Sequence, residues 1–303
     1  MVNHALIPAV YVYTVLKTQI NTILVPVDFS ENTEVAVSKA LEFLQGTHVN
    51  STLHLFHVQR IKLSKFISRI STAIAGYTRQ QVNLDIKNSS NRLEGLKESI
   101  EKKRKDIKVL CWVSFGDSVQ ESITKKAKQI SADLIIIGKH SHHSLLPFLN
   151  TIVPSKLAGL TGIPVLTAKP GSLHQEIKTV VIPVSHRFPI SKLEILAALH
   201  NVPRPHVRLV TLLGNEIRMN DAKHMLLYTF RAFKSQFSNP VNYEIIEGGN
   251  KARALLKYCN KVSADILIVY PGAETQVGTW INSHISDLVP ADSKTQILAI
   301  SPG

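Results

Sequence analysis

Cysteine is nearly missing from this chain: Cys111 and Cys259 are the only two in 303 residues, and they form no CxxC pair. That excludes a disulfide framework and points to a reducing compartment. Aromatic residues make up only 6% of the chain, and none is interleaved with the basic residues. The stacking platform of a single-strand or RNA binder is therefore absent. The apolar stretch from Ala5 to Leu16 has the look of a short signal core, but no basic segment precedes it and no clear small-residue cleavage site follows. It is also too short to span a bilayer. Residues 1–20 are read as an N-terminal extension outside the folded repeat, and the chain as cytoplasmic, without a membrane.

Several nucleotide signatures are missing too. No HxGH or SGGxDS loop follows the first strand, and neither GxGxxG nor GxxxxGK[ST] occurs anywhere. These absences remove the nucleotidyltransferase, ATP pyrophosphatase, dinucleotide and P-loop readings.

What is present reads as ordinary globular protein, with 44% hydrophobic and 19% charged residues. The net charge is +13. The excess sits in the first half, with 21 basic against 12 acidic residues up to Pro170, then 14 against 10. Its densest run, Lys102-Lys103-Arg104-Lys105, closes a predicted helix, where cations complement the carboxyl-end dipole. A solvated helix end accounts for it without a specific nucleic acid.

The dominant signal is an internal repeat. SADLIIIGK from Ser131 returns as SADILIVYP from Ser263, and this register of 132 residues holds through PVLTAKP and TQILAISP. TILVPV at Thr22 pairs with TVVIPV at Thr179 at an offset of 157, so the first copy carries 157 − 132 = 25 extra residues. Each copy is long enough to bury its own core, giving domains at 21–170 and 171–303.

Within each copy, apolar strands alternate with amphipathic helices. The first has strands at Thr22–Val27, Leu53–Val58, Ile107–Val113, Leu134–Ile137 and Pro164–Ala168; the second has them at Thr179–Val184, Val207–Leu213, Val241–Ile246, Ile266–Val269 and Gln296–Ile300. Such alternation requires crossovers and a mainly parallel five-stranded α/β sheet covered on both faces. The extra length falls at about 62–106, read as two helices: Leu63, Phe66, Ile67 and Ile70 make one stripe, Leu93, Leu96 and Ile100 another. The polar break Asn88-Ser89-Ser90-Asn91 separates them, with Asn91 and Glu94 as a capping pair.

In open α/β sheets ligands bind at the carboxyl ends of strands where the order reverses. Asp28-Phe29-Ser30 after the first strand and Gly138-Lys139-His140-Ser141 after the fourth meet that condition. Asp28 with Glu31 suits a ligand contact or helix cap better than acid/base work, since no nucleophile accompanies them. The cluster His140, His142 and His143 has no neighbouring Cys, Asp or Glu to complete a metal site, and a solvated loop is the simpler reading.

The segments VPVDFSENTEVAVSKAL and ADLIIIGKHS…NTIVPSKLAGLTGIPVL resemble the universal stress protein family, and the resemblance extends over both halves. It implies two tandem Rossmann-like domains of the adenine nucleotide alpha hydrolase-like type. It further implies an internal pseudo-dimer joined through the last strands, with a further homodimer and unnamed protein partners left open. Nucleotide-binding members carry Gly-x-x-Gly, nine residues, then Gly before Ser or Thr. Here Gly138 keeps the first glycine, Ser141 replaces the second, and Asn150-Thr151 stands for the closing pair after only eight residues. The second copy departs further, with Ser185 for Asp28 and Tyr270 for Gly138.

The resemblance thus implies a non-catalytic stress-response or signalling module. Its first half holds at most one degenerate ATP or AMP site, at Asp28, Ser30, Gly138, Ser141, Asn150 and Thr151, without metal or catalytic residues. A nucleotide-hydrolysing enzyme of the same fold and a nucleotide-independent interaction scaffold are the alternatives.

Overall fold

A computed structural model describes residues 19–45, 51–59, 72–116, 118–139, 153–199, 204–213, 219–272, 274–275 and 285–302. Ten strands form one sheet: β1 Thr22–Val27, β2 Thr52–Gln59, β3 Lys108–Phe115, β4 Leu134–Gly138, β5 Val165–Ala168, β6 Thr179–Pro183, β7 His206–Leu213, β8 Val241–Glu247, β9 Ile266–Val269 and β10 Gln296–Ala299. Their order is β3-β2-β1-β4-β5-β10-β9-β6-β7-β8, which reads the same from either edge once the repeat is taken into account. Every neighbouring pair is parallel except the central one: β5 and β10 run antiparallel, with Leu166 opposite Leu298.

The strands that read as unbroken apolar runs are the interior ones. β1, β4, β6 and β9 are buried on both faces, as parallel strands must be when crossover helices cover the sheet. Helices α1 (Glu31–Phe43), α2 (Thr72–Lys103), α5 (Ile190–Ala198) and α6 (Met219–Gln236) contribute to one core layer. Helices α3 (Val119–Gln129), α4 (Pro154–Thr161) and α7 (Lys251–Lys261) build the other. Each layer draws residues from both halves, so the apolar core runs across the β5–β10 seam.

The insertion differs from its expectation. Residues 72–103 form one helix of 32 residues, and the polar stretch Asn88–Asn91 lies inside it. Asn and Ser in a helix cost only some tenths of a kcal/mol each, and here Ser89 is buried with its hydroxyl donating to Gln59 Oε1 at 3.3 Å. Glu94 pairs with Lys97 instead of capping. Leu93 and Ile100 are buried as expected, while Leu63, Phe66, Ile67 and Ile70 lie outside the described residues. In the basic run that ends the helix, Lys102 and Lys103 are exposed. Arg104 instead reaches the end of α1, donating to Leu41 O at 3.1 Å and Leu44 O at 3.2 Å. It satisfies carbonyls that the helix itself leaves unpaired.

The repeated Ser-Ala-Asp turns out to be a stop and a clamp. Ser131 and Ser263 both take φ of 50°, the left-handed residue after a helix. The next N–H, of Ala132 or Ala264, returns to Ala127 O at 3.0 Å or Cys259 O at 2.9 Å, closing a Schellman motif. The aspartate then holds the start of its neighbouring strand. Asp133 Oδ2 accepts from the N–H groups of Asn21 and Thr22 at 2.9 and 2.8 Å. Asp265 Oδ2 accepts from those of Lys178 and Thr179, both at 2.8 Å.

The connection between the halves is pinned on both sides. Fully buried Lys39 on α1 pairs with Glu42 and donates to Ser172 O, and Glu42 Oε1 accepts the His174 N–H at 2.8 Å. Gly171 approaches the second half so closely that a Cβ there would stand 2.0 Å from Asp292 O, and its N–H donates to Ala291 O.

Candidate functional site

β1 has β2 on one side and β4 on the other, with connections leaving in opposite directions, so a crevice opens at its carboxyl end. The chain leaves the strand there through a tight polar turn. Phe29 adopts φ of 60°, a costly conformation for an aromatic residue. Its ring is held by His57 at 4.7 Å between centroids and by the Arg92 guanidinium 3.9 Å from its centre.

Asp28 is the hub of that turn. Its Oδ1 accepts the Ser30 N–H at 3.0 Å, the Ser30 hydroxyl, and the Thr33 hydroxyl at 2.8 Å. Thr33 Oγ1 in turn accepts the N–H groups of Asp28 and Phe29 at 3.0 and 3.1 Å. Ser30 is the N-cap of α1, accepting the Asn32 N–H at 3.2 Å. One carboxylate oxygen therefore braces the strand-to-helix turn. The other, Oδ2, is buried and has no hydrogen-bond partner among the described residues. A buried acceptor left open is costly, and such an atom marks a place where a donor is missing.

Gly138 ends β4 beside this turn. A Cβ on it would stand 1.9 Å from Asn32 O. Its glycine is required by the approach of the first turn of α1 to β4, whatever else occupies the crevice. The structure thus brings Asp28, Ser30 and Gly138 together, with Asn32 and Thr33 between them. Ser141, Asn150 and Thr151, with the cluster His140, His142 and His143, lie outside the described residues. Lys139, next to Gly138, pairs with Asp287 of the second half.

Thr33 was missed by sequence reasoning, although a hydroxyl on the first turn after an aspartate is a readable signal. The aspartates of Ser-Ala-Asp were visible as a repeat, but their clamping role needed the strand that they hold.

The corresponding crevice in the second half is filled. The loop from β6 to α5 is longer, 184–189 against 28–30, and the helix starts later. Tyr270 takes the position of Gly138; its phenol hydrogen-bonds to Ser191, and burial pushes its pKa up to about 12. Lys192, fully buried, donates to Pro183 O at 2.8 Å and to Glu274 at 2.8 and 3.1 Å.

No group of His, Cys, Asp and Glu among the described residues is placed to hold a metal ion. Nor is any described helix long and apolar enough to cross a membrane.

Comparison with known proteins bears on the family and the fold. Residues 19–169 match the model of the universal stress protein family. A universal stress protein of Methanocaldococcus jannaschii is 28% identical over 156 residues, which is 48% of this chain and 93% of the relative. A solved universal stress protein from Archaeoglobus fulgidus, 14% identical, aligns with a TM-score of 0.60 over 95% of this chain and 98% of that one. A functionally unknown protein from Pseudomonas aeruginosa, 18% identical, aligns with a TM-score of 0.54 over 95% and 94%. These two structural likenesses speak to the fold.

Proposed function

Because the chain belongs to the universal stress protein family, we propose that it serves a stress response as a non-catalytic cytoplasmic module. In this reading residues 21–170 and 171–303 are tandem domains that form an internal pseudo-dimer about the β5–β10 pair. The first domain offers at most one weak, degenerate site for ATP or AMP, and the second offers none.

The observation that carries the nucleotide clause is Asp28. One oxygen is fixed by three donors and the other is buried without a partner beside Gly138. A preorganised acceptor of this kind suits the donors of a ribose or an adenine amino group. The reading of the second domain is supported by Ser185 in place of that carboxylate and by the Tyr270 ring in place of Gly138.

Calorimetric titration of nucleotide-free protein with ATP and AMP tests the proposal. The expected result is no more than one site per chain, with affinity lowered at least about tenfold in Asp28→Ala, as loss of a charged hydrogen-bond partner requires. Two sites per chain, or an unchanged site in the variant, would overturn it. ATP turnover above a buffer blank, abolished in Asp28→Ala, would favour the hydrolase instead.

A further inference from the structure

The second half holds an ion pair that the first lacks, at the carboxyl ends of β6 and β9. Lys192 stands at the position of Val35 in the 157-residue offset, and Glu274 at that of His142 in the 132-residue register. Both partners therefore differ from the first copy, and they meet across 82 residues of sequence. The Lys192 ammonium is fully buried, 2.8 Å from Glu274 Oε2 and 4.2 Å from the centre of the Tyr270 ring. The same Glu274 oxygen accepts the Tyr270 backbone N–H at 2.7 Å.

An oxyanion is thus already present in this crevice. It is held by one ammonium and one main-chain N–H, the two kinds of donor with which α/β proteins hold phosphate. A buried ammonium is tolerated only with a partner, so the carboxylate has to be there if Lys192 is. In the first half nothing comparable fills the crevice among the described residues, and Asp28 Oδ2 stays open.

We infer that Glu274 is the internal occupant of an oxyanion site, and that Lys192 and the Tyr270 N–H donate to an external oxyanion of the phosphate class once that carboxylate is withdrawn. The second half is held shut by its own side chain. This goes beyond the nucleotide reading of the first half and does not depend on it, because Lys192, Tyr270 and Glu274 all belong to the second half.

The test compares the wild type, Glu274→Ala and the double variant Lys192→Met/Glu274→Ala. Each is unfolded thermally across a series of inorganic phosphate concentrations at constant ionic strength and neutral pH, and phosphate is titrated calorimetrically. The wild-type midpoint is expected to stay put. Glu274→Ala is expected to melt about 5 °C lower or more, since one buried partner is left unpaired. Phosphate then restores it saturably, with one ion bound per chain. The double variant, with no buried charge, is expected to lose less and to ignore phosphate.

The inference is overturned if phosphate fails to restore Glu274→Ala, if the double variant responds equally, or if the wild type binds phosphate just as well. Should Glu274→Ala not fold, Glu274→Gln keeps the side-chain volume and an acceptor for the Tyr270 N–H. A saturable phosphate response absent from the wild type then supports the inference, and no response overturns it. The nucleotide titration with Asp28→Ala reads the other half of the molecule, so the two proposals fail separately.

Discussion

His54 is the single side chain with the plainest solution signature. It is buried on β2, and its Nδ1 accepts the Trp112 indole N–H at 3.0 Å while the Lys126 ammonium lies 3.1 Å from the centre of the indole ring. Burial, then the charges of Lys126 and Lys108, push its imidazole down from 6.5 to about 4. Between these two values the unfolded chain binds a proton that the native protein refuses, so stability falls as pH drops through the window and is fully present above it. After allowance for solvent screening, the loss is on the order of 1–2 kcal/mol. Urea unfolding at pH values above and within the window is expected to show a flatter dependence in His54→Leu than in the wild type. Equal slopes would assign the effect elsewhere. A half-buried Cys111, whose thiol is pushed up to about 11 by burial, and a buried Cys259, at about 12, give no comparable handle.

At the scale of elements, Ser-Ala-Asp joins a helix end to the strand beside it. The two copies do this with different reserves. Asp133 is half-buried with its two main-chain bonds, whereas Asp265 is buried and also pairs with Lys294 at 2.8 Å. Replacement by alanine is expected to cost about 1–2 kcal/mol at Asp133 and about 2–4 kcal/mol at Asp265, where an ammonium and two N–H groups lose their acceptor. The shift of the urea midpoint measures both, and the reverse order would contradict the clamp. The motif was legible as a repeat because its spacing is local, while the strand starts that it holds lie more than eighty residues away. The long α2 was misread for the opposite reason. Local polarity at Asn88–Asn91 suggested a break, and the packing of Leu93 and Ile100 with the Ser89–Gln59 contact kept the helix whole.

At the scale of the molecule, the seam between the halves concentrates charge. Lys169 at the end of β5 is buried, and its amine is pushed down to about 8, first by burial and then by Lys139, against the attraction of Asp287. Below about 8 the native protein carries a charge it disfavours. Between about 8 and 10.5 the unfolded chain binds more protons, so this contribution rises with pH. Lys169→Met is expected to raise stability at neutral pH, on the order of 2 kcal/mol, with the gain shrinking towards pH 10.5. Chemical unfolding across that range checks it, and a destabilised variant at neutral pH would show that Lys169 is an attractive member of the Lys139–Asp287 pair.

The sequence by itself determined much of the architecture: two copies, the strand order of each, the buried strands and the position of the crevice after β1 and β4. These follow from periodicity and from rules of parallel sheets that act within tens of residues. It also marked Asp28 and Gly138, yet the physical reason for each came from the tertiary structure. Gly138 is required by a carbonyl 1.9 Å from its absent Cβ, and Asp28 spends one oxygen on its own turn. The antiparallel direction of the β5–β10 pair, the Lys139–Asp287 contact across the seam and the Lys192–Glu274 pair were decided only in three dimensions. Pairing between residues 82 to 148 positions apart leaves no periodic trace in a chain, because it depends on which surfaces the fold presses together.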